Sequence, residues 1–112
     1  MTWYHDLSRS LALFKAHGAA MDETCFHFRT DSAQGVHYIG YLAGYRAPYW
    51  IGYCDVPDGC EFETAEALFD ARVFDGRSLR ERWEEVVIDA VNGLSSDDFL
   101  RYVLPSLESS EA

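Results

Sequence analysis

No apolar run in the 112 residues approaches the ~20 that a membrane helix needs, so no membrane span is expected. The opening decapeptide, MTWYHDLSRS, has no basic stretch leading into an apolar one, which argues against a secretory signal. Cysteine is sparse: three residues, an odd count with no Cys-x-x-Cys pair, point to a reduced, cytoplasmic chain. Nothing repeats with a period of 20–50 residues, and no low-complexity segment or linker divides the chain, so residues 1–112 read as one domain. Positive charge is also scarce, with 9 Lys and Arg against 19 Asp and Glu, a net charge of −10. Such a chain repels phosphate backbones and anionic lipid, which argues against nucleic-acid and membrane partners and favours a basic protein.

What is present is apolar and aromatic residues, 48% and 15% of the chain, enough for a packed core without disulfide or metal support. Residues 35–54 are the centre of the pattern: Tyr38, Tyr41, Tyr45, Tyr49, Tyr53 and Trp50 with a single base, Arg46, and no acid. Strand-forming residues dominate there, punctuated by Gly35, Gly44 and Pro48. With Cys25–Thr30, where Phe26 and Phe28 alternate with Cys25, His27 and Arg29, they predict a three-stranded antiparallel meander. Its strands are Cys25–Thr30, Val36–Ala43 and Tyr49–Cys54, joined by a turn over residues 31–35 and by the Gly44–Pro48 segment. The register, and hence whether His27 and His37 share a face, is left open.

Helices flank this sheet. Asp6 is placed to cap a helix with Leu7, Leu11 and Phe14 on one side and Gly18 as its stop. The run Asp55-Val-Pro-Asp-Gly59 is a turn, Cys60–Glu63 a short edge strand, and Thr64 the cap of a helix through Leu68 and Phe69. Ser78 and Glu81 match a capping box, and Leu79, Trp83, Val86, Val87, Ala90 and Val91 keep helical spacing to Asn92-Gly93. A helix throughout is the favoured reading; a helix ending near Glu85 with a strand to Val91 is the alternative, because Val86-Val87-Ile88 is β-branched. A last helix starts at Ser95 or Ser96 and closes at Pro105, leaving residues 106–112 as a frayed acidic tail. The fold class is α+β, an antiparallel sheet of three to five strands packed by helices from both ends of the chain.

Charge is uneven along the chain. Residues 1–50 balance Asp6, Asp22, Glu23 and Asp31 against Arg9, Lys15, Arg29 and Arg46, so the whole net charge falls on residues 51–112. Asp55, Asp58, Glu61 and Glu63 place four carboxylates in nine residues, with Glu66 just beyond. The order fits no EF-hand loop, and nothing sets two carboxyls apart as acid and base, so neither a metal nor glycoside hydrolysis is expected. Cys25 with His27 or His37 lacks an orienting third group, and Cys54 and Cys60 flank a turn across which they can approach. No cofactor motif is present. Five tyrosines in a small sheet exceed the hydroxyls its core can satisfy, so some must face solvent or a partner. The expected partner surface is Tyr45, Trp50 and Tyr53 as anchors beside the acidic residues Asp55, Asp58, Glu61, Glu63 and Glu66.

Through YWIGYCD (residues 49–55), EFETAEALFDA (61–71) and FDGRSLRERW (74–83), the chain resembles small uncharacterised bacterial proteins. Over the same stretch it resembles immunity proteins of contact-dependent inhibition and other polymorphic toxin systems. That resemblance implies a small cytoplasmic, non-enzymatic inhibitor that occludes the active site of a basic, nuclease-like toxin domain. It carries over no catalytic or ligand residue. Two other functions are open to the sequence: a small-ligand site or enzyme pocket built from the tyrosines with Arg46, His37 and Cys54, and a domain that oligomerises through its aromatic strand. Monomer and homodimer are both compatible with the chain.

Overall fold

Alternation of apolar and mixed side chains decides the architecture, because successive residues of a strand face opposite sides of a sheet. A computed structural model of the chain describes residues 2–31 and 36–109. Six strands run β1 (Thr24–Phe28), β2 (His37–Tyr41), β3 (Tyr49–Gly52), β4 (Cys60–Phe62), β5 (Val86–Val91) and β6 (Leu94–Ser95). They form one antiparallel sheet in the order β4-β3-β2-β1-β5-β6. Four helices accompany it: α1 (Leu7–His17), α2 (Ala65–Asp70), α3 (Ser96–Tyr102) and α4 (Leu104–Ser109). The class is α+β as the sequence indicates, with six strands in place of three to five. Residues 32–34 of the expected β1–β2 turn, its Gly35, and residues 110–112 of the expected tail lie outside the described residues.

Register separates the two faces. Tyr41, Tyr49 and Phe62 form one inward row, and Ile39, Ile51 and Cys60 the next, continued through Thr24 to Val91. Phe26, Phe28 and Ile88 complete that face, and all the buried apolar side chains of the helices join the same core, among them Phe14, Leu68, Phe69, Phe99 and Leu104. Trp3 packs on Phe99 at 5.1 Å, and the Trp83 indole donates to the Tyr4 carbonyl at 2.8 Å, so the first residues are stitched to the last elements. The outward rows are different: Gly40–Trp50–Glu61, and Cys25–Tyr38–Gly52. Apart from Gly40, which lies beneath Trp50, these residues are half-buried or exposed.

The helix favoured for residues 78–91 does not form. The capping box is made, with Ser78 N donating to Glu81 Oε1 at 2.9 Å and Glu81 N to Ser78 Oγ at 3.0 Å. Only a 3-10 turn, Trp83–Glu85, follows it before β5 begins. Two forces favour the strand. Val86-Val87-Ile88 is β-branched, and β1 would otherwise present an unpaired edge. Asn92 (φ 51°) and Gly93 (φ 81°), read as a helix stop, are instead the two-residue turn joining β5 to β6. Positive φ at both central positions is what a tight hairpin demands. The last helix is also corrected: after α3, Pro105 sits in the first turn of α4, where a missing N–H costs little. The expected tail is therefore helical to Ser109, anchored by Arg9 Nη2 on Glu108 Oε1 at 2.6 Å.

Two glycines of the outward rows make a contrast that tests this packing. A Cβ on Gly40 would fall 2.0 Å from Asp22 Oδ1 and 2.5 Å from the Trp50 ring, whereas one on Gly52 would meet Trp50 at 3.5 Å. In urea titrations Gly40→Ala is expected to destabilise by about 1–3 kcal/mol and Gly52→Ala to lie within about 0.5 kcal/mol of the parent. Equal effects at the two positions would contradict the described placement of the indole.

Candidate functional site

The outward face is organised by Trp50. Its indole N–H donates to Asp22 Oδ1 at 2.9 Å, and the same oxygen accepts the backbone N–H of Tyr41 at 2.9 Å. Asp22 precedes β1, Tyr41 ends β2 and Trp50 lies in β3, so one carboxylate spans three strands. The indole occupies the place a side chain at Gly40 would take and reaches toward Gly52. It lies down along the sheet instead of standing off it.

Beside it, Tyr38 and Tyr53 meet with ring centroids 5.3 Å apart at 51°. Tyr53 has φ 57°, unusual for a bulky residue, and the His37 Nδ1–H donates to its carbonyl. His37 itself points inward among Phe26, Phe28 and Phe74, while His27 points outward and pairs with Asp89 at 2.8 Å. The two histidines are thus on opposite faces. Glu23, Tyr38, Trp50, Gly52 and Tyr53 enclose a shallow notch of about 280 Å3, and Trp50, Asp58 and Glu61 border a second hollow on the other side of the indole.

The expected partner surface is only partly assembled. Trp50, Tyr53, Asp58 and Glu61 come together here. Tyr45, 65% exposed, lies in the β2–β3 connection, at the opposite end of β3 from Tyr53. Asp55 has both oxygens engaged by the backbone, from Asp75 N and Gly76 N at 3.0 Å each, and holds the Phe74–Arg77 turn. Glu63 is paired with Arg46 at 3.1 Å, and Glu66 with Lys15 of α1 at 2.6 Å. The Glu66 carboxyl is accordingly held below its ordinary range, chiefly by the Lys15 hydrogen bond. Sequence reasoning missed Glu23, Tyr38 and Asp22 as site residues, because they depend on a register that only the three-dimensional pairing reveals.

Charge asymmetry along the sequence does not become a single acidic side. Glu63, Glu66 and Glu108 of the second half are neutralised by Arg46, Lys15 and Arg9 of the first. Asp70, Glu81 and Glu85 find Arg80, Arg72 and the pair Arg77 and Arg82. Arg82, 6% exposed, also holds Asp31 at 2.7 Å and lies 3.7 Å above the Phe28 ring. Among the described residues no ion pair engages Glu23, Asp58 or Glu61, three carboxylates that border the Trp50 cluster beside the hydrogen-bonded Asp22. Asp75, Glu84, Asp97 and Asp98 are likewise outside the ion pairs of the described residues, the last two in the first turn of α3.

Cys25 and His27 share the outward face, and Asp89 supplies the orienting group the sequence did not show. Burial and the Asp89 charge, however, push the Cys25 thiol up, which favours the inert form. The pocket imagined from tyrosines with Arg46, His37 and Cys54 is not assembled: Arg46 is with Glu63, and His37 is under the sheet. No three His, Cys, Asp or Glu gather as a metal site among the described residues, and no described helix is long and apolar enough to cross a membrane. In comparisons with family models, curated proteins and solved structures, nothing matches this chain.

Cys54 and Cys60, both reduced, do approach across their turn. Burial first, then the neighbouring Cys54 thiol, pushes Cys60 up to about 11. Cys60 is therefore expected to alkylate far more slowly than the same thiol in urea-unfolded chain at mildly alkaline pH, with the difference shrinking as pH rises toward 11. Equal rates in folded and unfolded chain, followed by mass spectrometry, would contradict this environment.

Proposed function

We propose that this chain is a non-enzymatic binding protein that docks a basic protein partner on the outward face of its sheet. The observation that carries the reading is the coincidence of Trp50, Tyr38 and Tyr53 with the unpaired carboxylates of Glu23, Asp58 and Glu61. Rigid aromatics supply contact area at little entropic cost, and Tyr and Trp dominate binding energy where they are found at interfaces. Nearby negative charge speeds the encounter with a cationic surface and disfavours acidic or phosphate-bearing partners. Docking would leave the inward core untouched, since the two faces share only backbone.

The finer reading is an immunity-type inhibitor acting in the cytoplasm. Its partner would be a nuclease-like toxin domain, with Glu23, Asp58 and Glu61 taking the place of the phosphates that such a domain normally holds. The resemblance over residues 49–83 and the net charge of −10 support this choice of partner.

The test uses, in a catalytically inactivated form, the basic C-terminal domain of any secreted toxin found encoded beside this chain. Its association rate is expected to fall about tenfold or more between low and high salt. Trp50→Ala, with its fold checked by circular dichroism, is expected to raise the dissociation rate about tenfold or more. An association rate flat with salt, or dissociation unchanged in the Trp50 variant, would overturn the proposal.

A further inference from the structure

The notch beside Trp50 has a shape and polarity of its own. Its floor is Gly52, which contributes no side chain. On one side lies the indole, half-buried and set against the sheet at Gly40 and Gly52. On the other side stand Tyr38, register partner of Gly52, and Tyr53, 74% exposed. Glu23 closes the rim with a carboxylate that no ion pair engages among the described residues. Three aromatic rings around one carboxylate form an environment that stabilises a positive charge twice over, through the ring quadrupoles and through the anion.

We infer that this notch seats the guanidinium of an arginine side chain presented by the partner. Placing it on a partner rests on the basic-partner reading above; the guanidinium site itself rests on the geometry. The flat indole selects a planar cation, which can stack on it and still direct N–H groups at the Glu23 carboxylate. An ammonium is compact and more strongly hydrated, and so exploits that surface less. Anions are disfavoured by Glu23, and a neutral planar group gains stacking and uncharged hydrogen bonds without the charge attraction. Asp22 acts at one remove as a positioning residue: by accepting the indole N–H it holds the ring in place beside the notch.

Titration of the 15N-labelled chain with acetyl-arginine methylamide, and separately with the lysine and citrulline analogues, tests the site. The arginine compound should give saturable shifts of the Trp50 indole N–H and of the Gly52 and Tyr53 amides, with a Kd on the order of 10 mM or tighter. The lysine compound should bind more weakly, and the neutral citrulline isostere should not saturate. The buried Trp3 and Trp83 indoles, bonded to Ser96 Oγ and the Tyr4 carbonyl, should stay still and serve as internal references. Glu23→Gln and Tyr38→Leu should each weaken arginine binding about fivefold or more, and Asp22→Asn should alter the Trp50 indole signal before any ligand is added. Equal responses to arginine and citrulline, or shifts that grow linearly with concentration, would overturn the site. A basic protein that binds in a salt-sensitive way but ignores Glu23→Gln and Tyr38→Leu would remove the notch and leave the docking reading standing. Arginine saturating the notch while no basic protein binds would do the reverse.

Discussion

One hydrogen-bonded constraint sets the character of the outward face: the Asp22 carboxylate holding the Trp50 indole flat over Gly40. A charge-assisted hydrogen bond of this kind is stronger than a neutral one, and here it also ties the end of β2 through the Tyr41 amide. Because residue 40 has no side chain, the ring can occupy the sheet surface and present its outer π-face. The neighbouring notch, the half-burial of Trp50 and the standing positions of Tyr38 and Tyr53 all follow from where that ring lies. With an indole free to rotate, the same residues would make an irregular surface with no defined aromatic face.

Much of the architecture was legible because it rests on short-range chemistry. The Asp6 and Thr64 caps, the Phe26/Phe28 alternation, the Pro57 turn and the edge strand at Cys60–Phe62 each follow from local residue types. Where the reading failed, two local signals competed. A genuine capping box at Ser78 pointed to a helix with Asn92-Gly93 as its stop, while the β-branched run Val86-Val87-Ile88 pointed to a strand. The strand won because β1 needed a partner, a tertiary demand that local propensity does not carry. The site was less legible still. Trp50 and Tyr53 are adjacent in sequence, but Glu23 and Tyr38 reach them only through register, and one residue of slip would send Tyr38 to the core.

Charge taught a similar lesson. An acidic second half suggested an acidic side, yet the bases of the first half fold back onto it as Arg46, Lys15 and Arg9. Exposed pairs of this kind add little stability each. Their consequence is electrostatic: they neutralise much of the second half's charge, while Glu23, Asp58 and Glu61 stay open carboxylates around an aromatic cluster. Asp55, by contrast, is committed to a turn, where its two oxygens cap backbone N–H groups that would otherwise go unpaired.

If the outward face is where this molecule meets its partner, side-chain accessibility there must change on binding while the rest of the surface does not. Hydroxyl-radical footprinting of the chain, alone and saturated with a basic partner domain of the proposed kind, reads that directly. The account predicts strong protection of Trp50, Tyr38 and Tyr53, with the exposed Tyr45 and Tyr102 oxidised as before. Protection centred on Tyr102 and Leu100 of α3, with Trp50 oxidised equally in both states, would contradict it.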